Sequence, residues 1–69
     1  MMVVSQDRKL VANYEHNVWQ ADGKGIYLIS IDGDGFLEFA RYGTEEESVK
    51  QLGFMVEGAT RGFTTYEFK

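Results

Sequence analysis

Short hydrophobic segments separated by polar turns make up the first part of the chain. Residues 10–15 alternate in side-chain character with a period of two, which is typical of a strand that has one covered face. Val3–Val4 precedes this segment, and the polar residues 6–9 lie between the two. The pattern predicts a first strand, a turn at 6–9, a second strand and a further turn at 15–17.

Two Asp-Gly turns continue the pattern. The first, at 22–25, separates residues 18–21 from the hydrophobic run 26–31, and its Asp-Gly step supplies the positive φ that tight hairpins require. The run 26–31 lacks clean alternation, which predicts the central strand of a sheet. The second turn, at 32–35, leads into a strand over 36–42. Two hairpins in series predict a β-meander.

A helix is predicted after Gly43. Thr44 and Glu47 have the spacing of a capping box, and three successive glutamates suit the positive end of the helix dipole. The predicted contact stripe recurs at steps of three and four, with Met55 at its flank, and consists of Val49, Leu52, Val56 and Ala59.

The end of the helix has two interpretations. Termination at Gly53 would leave residues 54–57 as another strand, whereas Gly58 or Gly62 is favoured because the apolar stripe continues past Gly53. The β-type segment 63–68 predicts a last short strand.

The predicted fold class is α+β. It consists of an antiparallel β-meander of about five strands, one helix over about residues 44–59 packed on one face, and a short C-terminal strand. Residues 1–69 are expected to form a single domain, because a chain of 69 residues has room for one thin core.

Composition narrows the functional classes. The absence of cysteine excludes disulfides and thiolate metal sites. The residues after Val4 are polar, so the hydrophobic stretch that a signal peptide or a membrane span requires is not predicted. We therefore expect a cytoplasmic protein without a membrane partner. Seven basic against eleven acidic residues give a net charge of −4, which disfavours binding to phosphate backbones.

Acidic residues near the glycine turns are the strongest candidates for a metal site. Asp32 and Asp34, with Glu38 nearby and Asp22 in the first turn, carry the oxygen ligands that Ca²⁺ and Mg²⁺ prefer. The spacing fails the EF-hand pattern after the second ligand, so hairpin turns are the favoured interpretation. No metal or cofactor is therefore predicted.

Catalytic constellations are equally sparse. His16 is the only histidine, and no further histidine or cysteine accompanies it as a metal ligand. The serines that a nucleophilic triad would need lie outside a Gly-x-Ser-x-Gly elbow; they are Ser5, Ser30 and Ser48. The sequence therefore predicts a protein that is not an enzyme, with no catalytic residue.

Several turn and cap motifs together resemble a group of short, functionally uncharacterised proteins from Gram-positive bacteria and their phages. The resemblance spans nearly the whole chain and rests on residues 4–7 (Val-Ser-Gln-Asp), 13–15 (Asn-Tyr-Glu), 32–34 (Asp-Gly-Asp) and 42–46 (Tyr-Gly-Thr-Glu-Glu). It implies the order of elements given above and a bacterial or phage origin, and it supplies no catalytic residue.

Aromatic residues are the remaining functional signal, because one helix covers only one face of a sheet. Phe54 falls almost opposite the predicted helix stripe. The predicted partner surface consists of Trp19, Tyr27, Phe39, Phe54, Tyr66 and Phe68. Two hypotheses follow. The first is a non-enzymatic interaction module that binds protein through an aromatic sheet face or edge, including a second copy of itself as a homodimer. The second is a small protein that stacks single-stranded nucleic acid on its aromatic rings.

Overall fold

The computed structural model describes residues 1–29 and 35–69. Within these residues lie six strands and one helix, in the order β1 (Met2–Val4), β2 (Val11–Asn13), β3 (Val18–Asp22), β4 (Gly25–Ile29), β5 (Phe36–Arg41), α1 (Glu45–Thr60) and β6 (Thr65–Glu67). The second predicted glycine turn, with the candidate ligands Asp32 and Asp34, lies outside the described residues except for Gly35.

The strands form two three-stranded sheets, and the predicted α+β class is confirmed. Sheet A has the order β2-β1-β6, with β1 antiparallel to β2 and parallel to β6. Sheet B has the order β3-β4-β5 and is antiparallel throughout. The predicted meander is therefore limited to sheet B, because β1 pairs with a strand at the other end of the chain rather than with the hairpins that follow it.

One hydrophobic core joins both sheets and the helix. Its centre is formed by side chains that are at most 1% exposed, namely Val3, Ile26, Met55 and Phe68. Phe39 adds an edge-to-face contact with Trp19, whose ring centroids lie 4.9 Å apart. Aromatic pairs in this geometry contribute about 0.5–1.5 kcal/mol beyond the area that they bury.

The first glycine turn has the predicted hairpin geometry. Asp22 pairs with Gly25, and Gly23 has a φ of +57°, which a residue without a Cβ adopts without strain. The hydroxyl of buried Ser48 donates a hydrogen bond of 2.8 Å to the Gly23 carbonyl. This bond fastens the turn to the first part of α1. The central position of β4 in sheet B is also as predicted.

The ends of α1 follow the predicted signals only in part. Thr44 caps the helix, since its Oγ1 accepts from the Glu47 backbone N–H at 3.1 Å. The Glu47 carboxylate does not complete the capping box and instead accepts from the Gln51 amide at 2.9 Å. The helix passes through Gly53 and ends at Thr60, and Gly62 follows with a φ of +80°. The predicted continuation past Gly53 is thus confirmed; of the two favoured terminators, Gly62 follows the helix end, whereas Gly58 lies within the helix.

The buried face of α1 is rotated relative to the predicted stripe. Met55, expected at the flank, is fully buried together with Ser48 and Gly58, whereas Val49 and Val56 are 55% and 43% exposed. The reason is close packing of small residues. A Cβ added to Gly58 would lie 2.9 Å from the ring of Phe63, so the glycine lets this ring pack closely against the helix.

Candidate functional site

One face of sheet B is left open by the helix. Successive side chains of a strand point to opposite faces, and Ile26 and Leu28 of β4 point into the core, so Tyr27 and Ile29 point outward. The strand register then places the outward side chains in three rows. We call this surface the open sheet face; its rows are Val18–Ile29–Phe36, Gln20–Tyr27–Glu38 and Asp22–Gly25–Arg41.

The first row is apolar and exposed. Phe36 is 68% exposed and Val18 is 55% exposed, and both pair directly with Ile29 between them. Tyr27, in the next row, packs against Phe36 edge to face with ring centroids 5.3 Å apart. A cavity of about 140 Å³ lies beside this pair, with Gln20 on its far side. The exposed hydrophobic side chains are thus concentrated at one end of the face.

The opposite end of the open sheet face is polar, and two of its charged side chains form an ion pair with each other. Arg41 contacts Glu38 at 2.7 Å between Nη2 and Oε2, and its Nη2 also donates to the Tyr27 hydroxyl at 3.0 Å. The guanidinium lowers the pKa of the Glu38 carboxyl, and the carboxylate in turn raises the pKa of Arg41. Both charges are therefore held on the protein surface as a neutral pair.

Gly25 determines how Tyr27 lies on the face. A Cβ at Gly25 would lie 2.7 Å from the Tyr27 hydroxyl oxygen and 2.8 Å from two ring carbons. The tyrosine ring therefore lies over the glycine, as a large aromatic can when its neighbour on the same face has no side chain. This position brings the Tyr27 hydroxyl to Arg41, and it connects the aromatic pair to the polar end.

The six residues of the predicted partner surface do not form one surface. Phe39 and Phe68 are core residues, 2% and 1% exposed, so their inclusion was wrong. The bulge in β5 accounts for Phe39, because the shift between Ile26 and Tyr27 gives this strand an extra inward position. Phe68 lies beyond β6 and packs against Tyr66, with ring centroids 5.3 Å apart.

The other four predicted residues are distributed over different parts of the molecule. Trp19 is half-buried against Phe39, and its indole N–H donates to the Tyr14 carbonyl at 3.2 Å. Tyr66 is half-buried, and burial raises its pKa. Phe54 is exposed on α1, where the Lys50 ammonium lies 5.8 Å from its ring centroid. Tyr27 is the one that lies on the open sheet face.

The candidate catalytic serines within the described residues have structural partners. Ser5 is 1% exposed, and its hydroxyl donates to Asp7 at 2.6 Å while accepting from the Leu10 N–H at 3.0 Å. Ser48 donates to the carbonyls of Gly23 and Glu45. Among residues 1–29 and 35–69, no group of three or more His, Asp or Glu side chains is placed to hold a metal ion.

Gln6 has a role that its position in a predicted turn did not suggest. Its backbone N–H donates to the Phe39 carbonyl at 2.7 Å, and its side-chain oxygen accepts from the Arg41 N–H at 3.0 Å. These bonds occupy the outer edge of β5 near its end, where a further strand would otherwise pair. Gln6 thereby joins sheet A to sheet B. Because Gln6 covers this part of the β5 edge, a partner can reach the face of sheet B more readily than the edge.

Comparisons with protein-family models, with curated proteins and with solved structures found no match. Function is therefore inferred from the geometry of this chain. Across the two described ranges, no helix combines the length and the apolar character needed to cross a membrane.

Proposed function

We propose that this protein is a non-enzymatic interaction module that associates with a second copy of itself through the open sheet face. The observation that carries the proposal is the apolar row Val18–Ile29–Phe36, in which a phenylalanine is 68% exposed beside the Tyr27 ring. Contiguous exposed apolar side chains rimmed by polar ones are typical of protein interaction sites. A two-fold axis through the row would bury it in both copies at once.

Charge favours a second copy over a strongly charged partner at this surface. Glu38 and Arg41 neutralise each other on the face, so two copies can approach there despite a net charge of −4 on each chain. The remaining charge on the three rows is that of Asp22, which is two rows from Phe36 in the strand register but lines the same cavity of about 140 Å³. Repulsion between copies at this face therefore comes from one carboxylate per copy.

The size of the face sets the expected strength of association. Strands of five residues span about 17 Å, and three strands span about 14 Å across the sheet, so the footprint is small compared with a standard interface of about 800 Å² per partner. We expect a weak homodimer, with a dissociation constant in the micromolar to millimolar range.

We further propose a cytoplasmic location, from the absence of cysteine, and a bacterial or phage origin, from the resemblance of the turn and cap motifs.

Sedimentation equilibrium across this concentration range, with a Phe36→Ala variant, tests the proposal. Burying a phenylalanine contributes about 1.5–3 kcal/mol, and the variant removes one from each copy, so it is expected to raise the dissociation constant by about a hundredfold or more. Phe54→Ala is the matched control, because Phe54 is also an exposed aromatic but lies on α1. A strictly monomeric native chain, or equal effects of the two variants, would contradict the proposal.

Single-stranded nucleic-acid binding is the second candidate, and one observation favours it. Tyr27 and Phe36 offer ring surfaces on an open sheet face that also carries Arg41. Against it stand the net charge and the pairing of Arg41 with Glu38. Titration of the Trp19 fluorescence with single-stranded DNA and RNA at low salt decides between them. Salt-sensitive binding that Phe36→Ala abolishes would support this candidate, and no binding would eliminate it.

A further inference from the structure

A second exposed apolar surface lies on α1, on the side that the sequence had predicted to face the sheet. Val49, Gly53 and Val56 fall within about 60° of one another around the helix axis, and Leu52 borders them. Val49 is 55% exposed, Val56 is 43% exposed, and a Cβ added to Gly53 would have no atom within 4 Å. We call these four residues the helix flank.

A groove adjoins one end of the helix flank. It has a volume of about 420 Å³ and lies between α1 and the segment that joins β2 to β3. Its walls are mainly apolar and comprise Tyr14, Val18, Trp19, Leu52, Met55 and Val56. Glu15 and Asn17 contribute the polar part of the lining. The helix flank therefore carries a protruding valine at one end, Val49, and an apolar recess at the other, beside Val56.

These features are symmetrically placed along the helix. Val49 and Val56 are two turns apart, about 10.5 Å, and the midpoint between them falls between Leu52 and Gly53. A two-fold axis through this midpoint would place Val49 of each copy beside Val56 and the groove of the other. Gly53, near the axis, presents no side chain and would let the two helices approach closely.

Charge selects the antiparallel orientation. The first turn of α1 carries Glu45, Glu46 and Glu47, whereas Arg61 at the other end forms a 2.8 Å ion pair with Glu57 and leaves that end without net charge. A parallel pair would bring the acidic turns of two copies together, whereas an antiparallel pair places each acidic turn beside the neutral Arg61–Glu57 pair. We propose that α1 pairs antiparallel with α1 of a second copy through the helix flank. This interface is centred on α1; it shares Val18, which lines the groove, with the open sheet face but does not use Phe36 or Tyr27.

Engineered cysteines test both the contact and its direction, because the native chain has none. Val49→Cys and Val56→Cys are prepared as separate single variants and oxidised in a glutathione buffer, alone and mixed. Cysteines bridge when their Cα atoms lie about 4.4–6.8 Å apart. We expect the mixture to form the disulfide heterodimer that joins position 49 of one variant to position 56 of the other. This heterodimer should be in at least fivefold excess over the disulfide dimers of either variant alone.

Lys50→Cys and Glu57→Cys are the matched control. They have the same spacing of seven residues on the same helix, and each is rotated by about 100° around the helix axis from the valine that precedes it. Their mixture is expected to give only background disulfide. Equal cross-linking of the two mixtures, or no cross-linking of the valine-derived pair, would overturn the proposal. Efficient dimers of Val49→Cys alone would indicate parallel helices and would overturn it as well.

The same experiment in a Phe36→Ala background separates this proposal from the one above. Cross-linking through positions 49 and 56 is expected to change less than twofold, because Phe36 lies on the open sheet face and not on α1. If the sheet-face association is absent and the 49–56 bridge persists, the helix flank is the interface between copies. If the bridge disappears with Phe36, the helix flank has no independent role.

Discussion

Sheet A and sheet B have the same number of strands but are held together differently. Sheet B consists of consecutive hairpins with five- and six-residue strands around a hydrophobic inner face. Sheet A has three-residue strands from opposite ends of the chain. Its turn is closed by the Asp7 carboxylate, which accepts hydrogen bonds from the Ser5 hydroxyl and the Lys9 N–H. Local turns and apolar burial explain how the strands of sheet B pair, and the side chains of Ser48 and Gln6 attach that sheet to α1 and to sheet A. Sheet A also depends on a few polar side chains and on one distant aromatic residue, Phe68.

Phe68→Ala is expected to have the largest effect on sheet A. Removing a buried phenylalanine costs about 3–5 kcal/mol, and Phe68 is 1% exposed in the core that β1 and β6 share. Urea denaturation followed by Trp19 fluorescence measures the loss. Phe63→Ala, in the same part of the chain but 51% exposed, is the control and should cost about 1 kcal/mol or less. Similar losses for both variants would contradict the assignment of Phe68 to the core.

Ser5→Ala is expected to loosen sheet A with a smaller effect. The substitution leaves the Leu10 N–H without its acceptor and removes one of the two donors to the Asp7 carboxylate, which costs about 1–3 kcal/mol. Hydrogen exchange measured by NMR should show faster exchange at the β1 and β2 amides, with those of Ile26 and Leu28 in sheet B as the internal reference. Equal acceleration in both sheets would mean that they open as one unit, and the distinction between them would fail.

Tyr42→Phe is expected to stabilise the protein slightly. The Tyr42 hydroxyl is buried and has no hydrogen-bond partner among the described residues, so its removal should raise the free energy of unfolding by up to about 1 kcal/mol. Tyr27→Phe is the control, because the Tyr27 hydroxyl accepts from Arg41 and its loss brings no gain. Thermal unfolding of the two variants measures the difference. A destabilised Tyr42→Phe would show that the hydroxyl has a favourable interaction in the folded chain.

Burial also raises the pKa of Tyr42 to about 12. The unfolded chain ionises first, near pH 10, so ionisation of Tyr42 leaves the free energy of unfolding unchanged below that pH and lowers it between about pH 10 and 12. The raised pKa is checked by following tyrosinate absorbance against pH for the native chain and for Tyr42→Phe. The component that titrates at the highest pH should be missing from the variant.

Asp7 gives the smallest expected effect, a pH dependence in the sheet A turn. Hydrogen bonds from the Ser5 hydroxyl and the Lys9 N–H lower the pKa of the Asp7 carboxyl below its usual 3.8. The unfolded chain therefore binds the proton first. The contribution of Asp7 is complete above about pH 4 and is lost as the pH falls through the lower folded value. The stability difference between the native chain and Asp7→Asn should shrink from about pH 6 to about pH 2.5; a constant difference would argue against this role.

The sequence was most informative where structure is local. The Asp22-Gly23 hairpin, the central strand β4 and the Thr44 cap all follow from residues within a few positions of one another. The parallel pairing of Met2 with Thr65 does not, because turn residues specify where a strand ends and not which distant strand it joins. The division into two sheets was therefore missed.

The helix and the candidate surface show a second reason why parts of the structure were not predicted from the sequence. Ser48 and Gly58 are buried although neither is hydrophobic, so a stripe chosen by hydrophobicity was rotated towards Val49 and Val56. On the sheet, Phe36 was recognised as part of a strand but not as a surface residue. Phe36 pairs directly with Ile29 on the neighbouring strand, and Ile29 lies two residues from Tyr27. This register is the signal that would have placed Phe36, Ile29 and Tyr27 on one face.

The parallel contact between β1 and β6 also has a consequence for synthesis on the ribosome. Every other strand pair within the described ranges joins neighbours along the chain and can form soon after its second strand is made. The pairing of Val3 with Tyr66 must wait until β6 has been synthesised, so during translation one edge of β1 stays unpaired beside the unfilled position of Phe68. An apolar edge in a nascent chain is a site for chaperone capture or misassembly, and in this protein the exposure ends only when the last strand arrives.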